Sequence, residues 1–458
     1  MSTVTPLGRP KNLWRHRGFM MLWSAQSISL LGSQVSLLAI PLTAIMLLNA
    51  SVMQVGLLTA AGYLPVLLVG LPAGVWVDRL RRRPILIVAD LGRVAILLTI
   101  PIAYALDGLR MWMLYPIAFS AGVLTLLFDI AHQSYLPSLV PREQLTEGNA
   151  KLEFSYSGAQ LAGPGIGGVL VQTLTAPIAI FADAVSYLVS AVLLLAIRTP
   201  EPPPARPEGE EAGIAKQIRE GLRYVLGHPL LRPIALTTGI GNLFDLFGMV
   251  AAILTLYAVR ELHLTPIALG WVLAVANAGA LLGAALNGRL IRRFGVGRMI
   301  AASSVVPGLA VLLLPLATPE TAMPVLSIAL GLAGFAISVY NINQITLRQT
   351  VTPDAMQGRM NATIRVLIWG TLPIGTFLGG LLGGAIGLRS TLVIAGIGSA
   401  LASLPLILSP VRSLRELPKA PGEPEAPAAP EVAAVAAVPA VPEVPEVPEV
   451  EEVMAAHG

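Results

Sequence analysis

Twelve long apolar runs, almost free of charge, govern what this chain can become. They lie near residues 19–48, 53–77, 84–106, 112–136, 154–174 and 176–197, then near 231–258, 267–288, 299–317, 322–347, 363–387 and 390–410. Each approaches or exceeds the roughly twenty residues an α-helix needs to cross a hydrocarbon core. Only 12% of the 458 residues are charged and the mean hydropathy is +0.73, where soluble domains carry about twice that charged fraction. Lipid is therefore the solvent for most of the chain. The runs are continuous and do not alternate, which excludes an outer-membrane barrel. The predicted fold class is all-α integral membrane: twelve transmembrane helices in two pseudo-symmetric six-helix bundles.

Charge fixes the orientation. The net charge of +4 conceals a tail, 421–458, with eight Glu and no Lys or Arg, so the remainder sets 30 basic against 18 acidic residues. Between the runs, only Arg110, Arg260 and Arg389 fall in loops of one parity; the other 27 basic residues belong to the opposite parity or the termini. The positive-inside rule then places both termini in the cytoplasm of a multi-pass cell-membrane protein. The opening "MSTVTPLGRPKNLWRHR" is too polar for an ordinary secretory leader, and the run after it is too long, so it reads as a retained first span. "RTPEPPPARPEGEEAG" cannot bury a core and is a linker. "IAKQIREGLRYVL" after it has apolar residues at helical spacing among basic ones, an amphipathic helix for the inner membrane face. The expected layout is a cytoplasmic segment 1–18, a bundle 19–198, a cytoplasmic linker 199–230, a bundle 231–410, and a disordered Pro/Glu-rich tail 411–458.

The two sets of six runs repeat one another. "VPREQLTEGNA" and "TPDAMQGRMNA" align at an offset of 212, which also sets Gly163, Gly167 and Gly168 on Gly375, Gly379 and Gly380; an offset of 214 sets Gly74 on Gly288. Duplicated bundles with a site between them near mid-bilayer are a common carrier design. "GVWVDRLRRRP" resembles the loop between helices 2 and 3 of the major facilitator superfamily, and "GAQLAGPGIGG" resembles the helix 5 motif of its proton-antiporting exporters. "LRQTVTPDAMQGRMNA" and "SLLGSQVSLLAIPL" are similar to the branch that holds macrolide-efflux and enterobactin-exporter-like proteins. The resemblance covers about residues 15–410.

The resemblance implies roles. Gly74, Asp78, Arg79, Arg82 and Arg83 would form a cytoplasmic latch that biases a two-state equilibrium, with Asp90 and Arg93 completing its ion network. The second copy has Arg292 where the first has Asp78. Gly163, Pro164, Gly167 and Gly168 would make a tight, leak-resisting helix contact. Small residues on one face do let membrane helices approach closely, and generic packing explains part of this pattern, as positive-inside placement explains much of the arginine run.

Four runs carry polar residues at helical spacing: Gln26, Ser29, Ser33 and Ser36; Thr125, Asp129 and His132; Thr238, Asn242 and Asp245; Asn341, Gln344 and Arg348. Such groups are costly against lipid and belong on protein or a wet cavity; interhelical hydrogen bonding is the plainer alternative for any single one. Asp245 lies about fourteen residues into the seventh run, past the middle of a core about 30 Å thick, and is the leading candidate to carry a coupling proton. Asp129 is the second, with an ion pair to Arg348 as its alternative use. Asp183 reads as a packing position. Ser33 stands where many relatives have an acid.

Zero cysteines exclude disulfides and thiolate metal sites. No phosphate-binding loop, metal-ligand spacing or catalytic constellation is present, so no enzyme activity, cofactor or nucleic-acid partner is expected. The reading is a monomeric secondary transporter, partnered by the bilayer, a small molecule and protons, that exports hydrophobic or amphipathic drug-like compounds by alternating access. A siderophore or lysolipid carrier using Arg348 or Arg365, and a transport-inactive sensor acting through its tail, are the alternatives.

Overall fold

The computed structural model describes residues 13–141, 144–199, 201 and 214–418, the side chains of 71, 74, 75, 78, 214–218, 354, 355 and 362 excepted. The far N-terminus, most of the linker and the tail from 419 lie outside the described residues, as does the side chain of Asp78. Among the described residues every regular element is helical.

The first half consists of α1 (Arg17–Leu42, prolonged by a π-helical turn), α2 (Val52–Arg79), α3 (Arg82–Ala105), α4 (Met111–Leu139), α5 (Leu145–Leu174) and α6 (Ala176–Ala196). A linker helix, α7 (Ile214–Gly227), leads to the second half: α8 (Leu231–Phe244), α9 (Met249–Arg260), α10 (Pro266–Phe294), α11 (Val296–Val311), α12 (Ala322–Val351), α13 (Asp354–Trp369), α14 (Leu372–Ile386), α15 (Leu388–Leu401) and the short α16 (Leu404–Ile407). Eleven segments among the described residues are long and apolar enough to cross a membrane, against the twelve expected. The exception is α5, which has 30 residues but is diluted by glycines, Gln160 and Gln172.

Backbone punctuation repeats along with the motifs. Asn49 and His263, 214 residues apart, both take left-handed conformations, with φ of 49° and 55°. Each ends a helix by the same pair of bonds, Leu48 N–H to Thr43 and Ala50 N–H to Ala44 in one half, Leu262 N–H to Tyr257 and Leu264 N–H to Ala258 in the other. This double closure satisfies carbonyls that a helix end leaves open. Ser51 and Thr265 then cap the next helices, α2 and α10. Thr175 and Gly387, 212 apart, turn between their helices at φ 80° and 87°.

Two of the expected spans are interrupted. The seventh run breaks between α8 and α9 at Asp245–Gly248, and the eleventh between α13 and α14 at Gly370 and Thr371. The breaks are joined, since Asn242 donates from Nδ2 to the Ile368 carbonyl at 3.0 Å. The linker helix packs on the second half: Gly221 seats against the α13 backbone at Arg359, Glu220 pairs with Arg359 at 2.8 Å, and the Tyr224 hydroxyl donates to Val351.

The core is asymmetric along the helix axes. One continuous apolar cluster joins both halves, running from Val35, Leu38 and Leu42 of α1 to Met249, Ile253 and Tyr257 of α9 and Leu388 of α15. At the opposite end, where the described chain begins and ends, each half keeps its own cluster. Phe19, Leu86 and Tyr135 belong to one; Ile234, Ile300 and Leu347 belong to the other. Two seams connect the halves, α2 with α14 and α5 with α10.

Candidate functional site

Each half encloses polar groups, and the two enclosures differ in kind. In the first half Arg93 of α3 lies between the rings of Phe128 and Tyr187, its guanidinium carbon 4.6 and 3.9 Å from their centroids. It donates to Asp90 Oδ1, while Ser190 of α6 donates to Asp90 Oδ2 at 2.6 Å. Asp129 and Asp183 also act electrostatically on Arg93. Asp90 and Asp183 are fully buried, whereas Asp129 opens onto a cavity. Asp90 and Arg93 thus face α4 and α6 inside the first bundle. At the α2–α3 turn Glu201, just past α6, accepts from the backbone N–H of Arg82 at 2.6 Å and of Arg83 at 3.1 Å, capping α3. Arg83 in turn donates to the Leu194 and Leu195 carbonyls.

The cavity at Asp129 measures about 630 Å³ and is lined by Gln26, Asp129, His132, Asn149, Glu153 and Tyr156, among others. Ser29, Ser33 and Ser36, placed on the same stripe as Gln26, turn into the bundle. Ser33 bonds the Tyr187 hydroxyl at 2.7 Å, Ser29 bonds the Gln26 carbonyl, and Ser36 is buried beside Asp183. Thr125 is half-buried on α4. Among the described residues no ion pair joins Asp129 to Arg348. Arg348 is buried on α12 with its Nε unpartnered, and Gln344 donates to Asn341 at 3.4 Å.

In the second half a smaller chamber of about 60 Å³ surrounds the α8–α9 break, lined by Thr237, Thr238, Asn242, Asp245, Ser303 and Asn341, among others. Asp245 ends α8, and its Oδ1 accepts from the Phe247 N–H at 2.9 Å. Thr238 bonds the Tyr340 hydroxyl at 2.6 Å. The field of Asp245 reaches Tyr63 of α2, in the other half.

The helix 5 string has two working faces. Gly163 and Gly167 lie against Gln34 and Val35 of α1, while Gly168 lies against Pro266 and Ile267 of α10 across the seam, and Gly270 against the Pro164 carbonyl. In the other seam Gly56 meets Gly380 backbone to backbone. Gln172 accepts from the Ile267 N–H, and Asn277 donates to the Gln160 carbonyl.

This two-halved helical arrangement has known counterparts. The family described as transmembrane secretion effector, of the major facilitator type, matches residues 10–437. The chain belongs to that family. Among similar proteins, the multidrug efflux pump Tap of Mycolicibacterium fortuitum is 27% identical, over 79% of this chain and 88% of its own. The enterobactin exporter EntS of Citrobacter koseri is 28% identical, over 86% and 92%. A bacterial homologue of the iron transporter ferroportin, solved in an inward-facing state, superposes with a TM-score of 0.70 at 16% identity, over 87% and 99%. This secretion effector is therefore a multi-pass membrane transporter of the efflux kind and not an enzyme.

Sequence reasoning missed several of the effector's polar residues. Glu201 sits in an apparently structureless linker, and nothing local links it to Arg82, 119 positions away. Ser190 and Tyr187 follow Asp183 at helical spacing on α6, a signal that was available. Tyr340 and Ser303 resemble ordinary interior residues until the α8–α9 break brings them to Asp245.

Proposed function

We propose that this effector exports hydrophobic or amphipathic small molecules from the cytoplasm, with both termini on that side, by alternating access coupled to protons. The observation that carries the reading is the asymmetry of the core. The halves share one apolar cluster at one end and separate into two at the other, where the cavity at Asp129 lies. That is one of the two states a rocking transporter needs. A cavity of about 630 Å³ lies within the range that takes drug-sized molecules, and relatives named as a multidrug efflux pump and an enterobactin exporter support cargo of that size.

Asp245 and Asp129 are the proposed proton carriers. Gln26, His132, Thr238, Asn242 and Asn341 line the two enclosures, while Ser29, Ser33, Ser36, Gln344 and Arg348 stand behind them. The α2–α3 turn, held by Glu201, serves as the cytoplasmic latch. A second reading, an anionic cargo, is favoured by Arg365, which lines a pocket of about 300 Å³ between α2 and α13. Inverted membrane vesicles carrying the full chain, tested with a panel of neutral, cationic and anionic compounds with and without a pH gradient, decide between them. Gradient-dependent uptake of neutral or cationic compounds is expected. Uptake of anions alone would favour the second reading, and no uptake of any compound would overturn both.

A further inference from the structure

We propose that the chamber at the α8–α9 break binds a small monovalent hard cation, Na⁺, with Asp245 as its charged ligand. Asp245 is 8% exposed, and among the described residues no ion pair includes it. Its Oδ1 accepts from the Phe247 N–H at 2.9 Å, and Tyr63 of α2 lies within its field. A buried carboxylate without a counter-charge is costly, so the site calls for a positive occupant. A proton would neutralise it without needing space or further ligands. The chamber offers both.

Its volume of about 60 Å³ suits an ion with a few waters and falls well short of a drug-sized pocket. The residues around it carry oxygen, with hydroxyls on Thr237, Thr238, Ser303 and Ser399 and amides on Asn242 and Asn341; the Thr238 and Ser303 hydroxyls donate to the Ile234 and Met299 carbonyls, which leaves their lone pairs to accept. Thr237 Oγ1 is buried with no hydrogen-bond partner. On the chamber wall the Gly241 carbonyl accepts from the Asp245 N–H at 2.8 Å, while no backbone N–H among the described residues reaches the Asn242 carbonyl, which the break leaves free. Gly248 lies against the Asn242 and Leu243 carbonyls, where any side chain would collide with them.

The donor set selects the ion. Oxygen ligands suit hard cations, whereas zinc and similar metals favour nitrogen or sulfur. Among the described residues no group of three His, Cys, Asp or Glu could hold such a metal. One carboxylate balances one positive charge; a divalent ion would leave net charge inside a bundle surrounded by lipid. Interrupted membrane helices whose unwound carbonyls coordinate a coupling ion are a general solution among carriers. Sodium would occupy Asp245 only when the carboxylate is deprotonated, so any exchange of Na⁺ against the transported proton rests on the transport reading above; sodium binding itself does not.

The test uses the purified full chain in lipid nanodiscs at constant ionic strength, with choline replaced stepwise by Na⁺. The thermal unfolding midpoint should rise saturably with Na⁺, and radioactive sodium should bind. Asp245→Asn should abolish both effects. Thr237→Val should raise the half-saturating Na⁺ concentration about tenfold, the scale of one lost polar ligand. If Asp245→Asn does not fold, Thr237→Val and Ser303→Ala carry the same test. Equal midpoints in Na⁺ and choline, or an unchanged Na⁺ response in these variants, would overturn the proposal. No cargo is present, so vesicles that move no compound would sink the transport reading and leave sodium binding standing.

Discussion

Arg93 is one base within electrostatic reach of three acids, Asp90, Asp129 and Asp183, and it is stacked between two rings. Removing one partner of a buried ion pair costs roughly 3–5 kcal/mol, because the charge left behind remains desolvated. Arg93→Gln should therefore lower the thermal unfolding midpoint markedly, while Arg83→Gln, nearer the surface, should lower it less. Asp245→Asn should abolish gradient-driven efflux in inverted vesicles while leaving membrane insertion intact; retained efflux would shift the coupling role to Asp129. His228 gives a prediction outside the membrane. Its Nδ1 accepts from the N–H groups of Leu230 and Leu231, and burial holds its pKa below the usual 6.5. The fold thus favours the neutral ring, and the unfolded chain takes up the proton first on acidification. The contribution to stability is full above about pH 6.5 and is lost as pH falls through the lower folded value. His228→Gln should narrow the difference in unfolding midpoint between about pH 8 and about pH 5.

At the scale of elements, the α5–α10 seam is made by backbone approaching backbone. Gly168 faces the Pro266 carbonyl where no side chain fits, and overpacking such a contact costs roughly 1–3 kcal/mol. Gly168→Leu should hold the halves apart and reduce efflux more than it reduces the amount of folded protein recovered from membranes. Gly165→Leu, at a position with open space around it, should do neither. Much of this architecture is legible in the sequence, because lipid demands long apolar runs and duplication preserves glycine spacing. The interruptions are not. Asp245 and Gly248 look like two polar or small residues in an otherwise apolar run, and the helix parts there because Asp245 bonds the Phe247 N–H. Nor does spacing reveal that Gly163 and Gly168, in one short string, serve different neighbours. The candidate site was half visible. The four polar stripes locate both enclosures, but which serines turn inward depends on α6, whose Tyr187 takes the Ser33 hydroxyl.

For the molecule as a whole, closure at one end and separation at the other mean that motion between states must exchange these two arrangements. Removing residues 421–458 should leave flux in vesicles unchanged, and loss of flux would indicate that the tail acts on the bundle. The matched left-handed turns at Asn49 and His263, and at Thr175 and Gly387, carry a longer consequence. Two six-helix units that turn at the same corners lead their helices along matching paths, so the halves differ in their side chains and helix breaks more than in their course. Those differences lie where the first copy seals its charges behind aromatic rings and the second opens its helices around a lone acid. The corners are common to both halves; the settings of their buried charges are not.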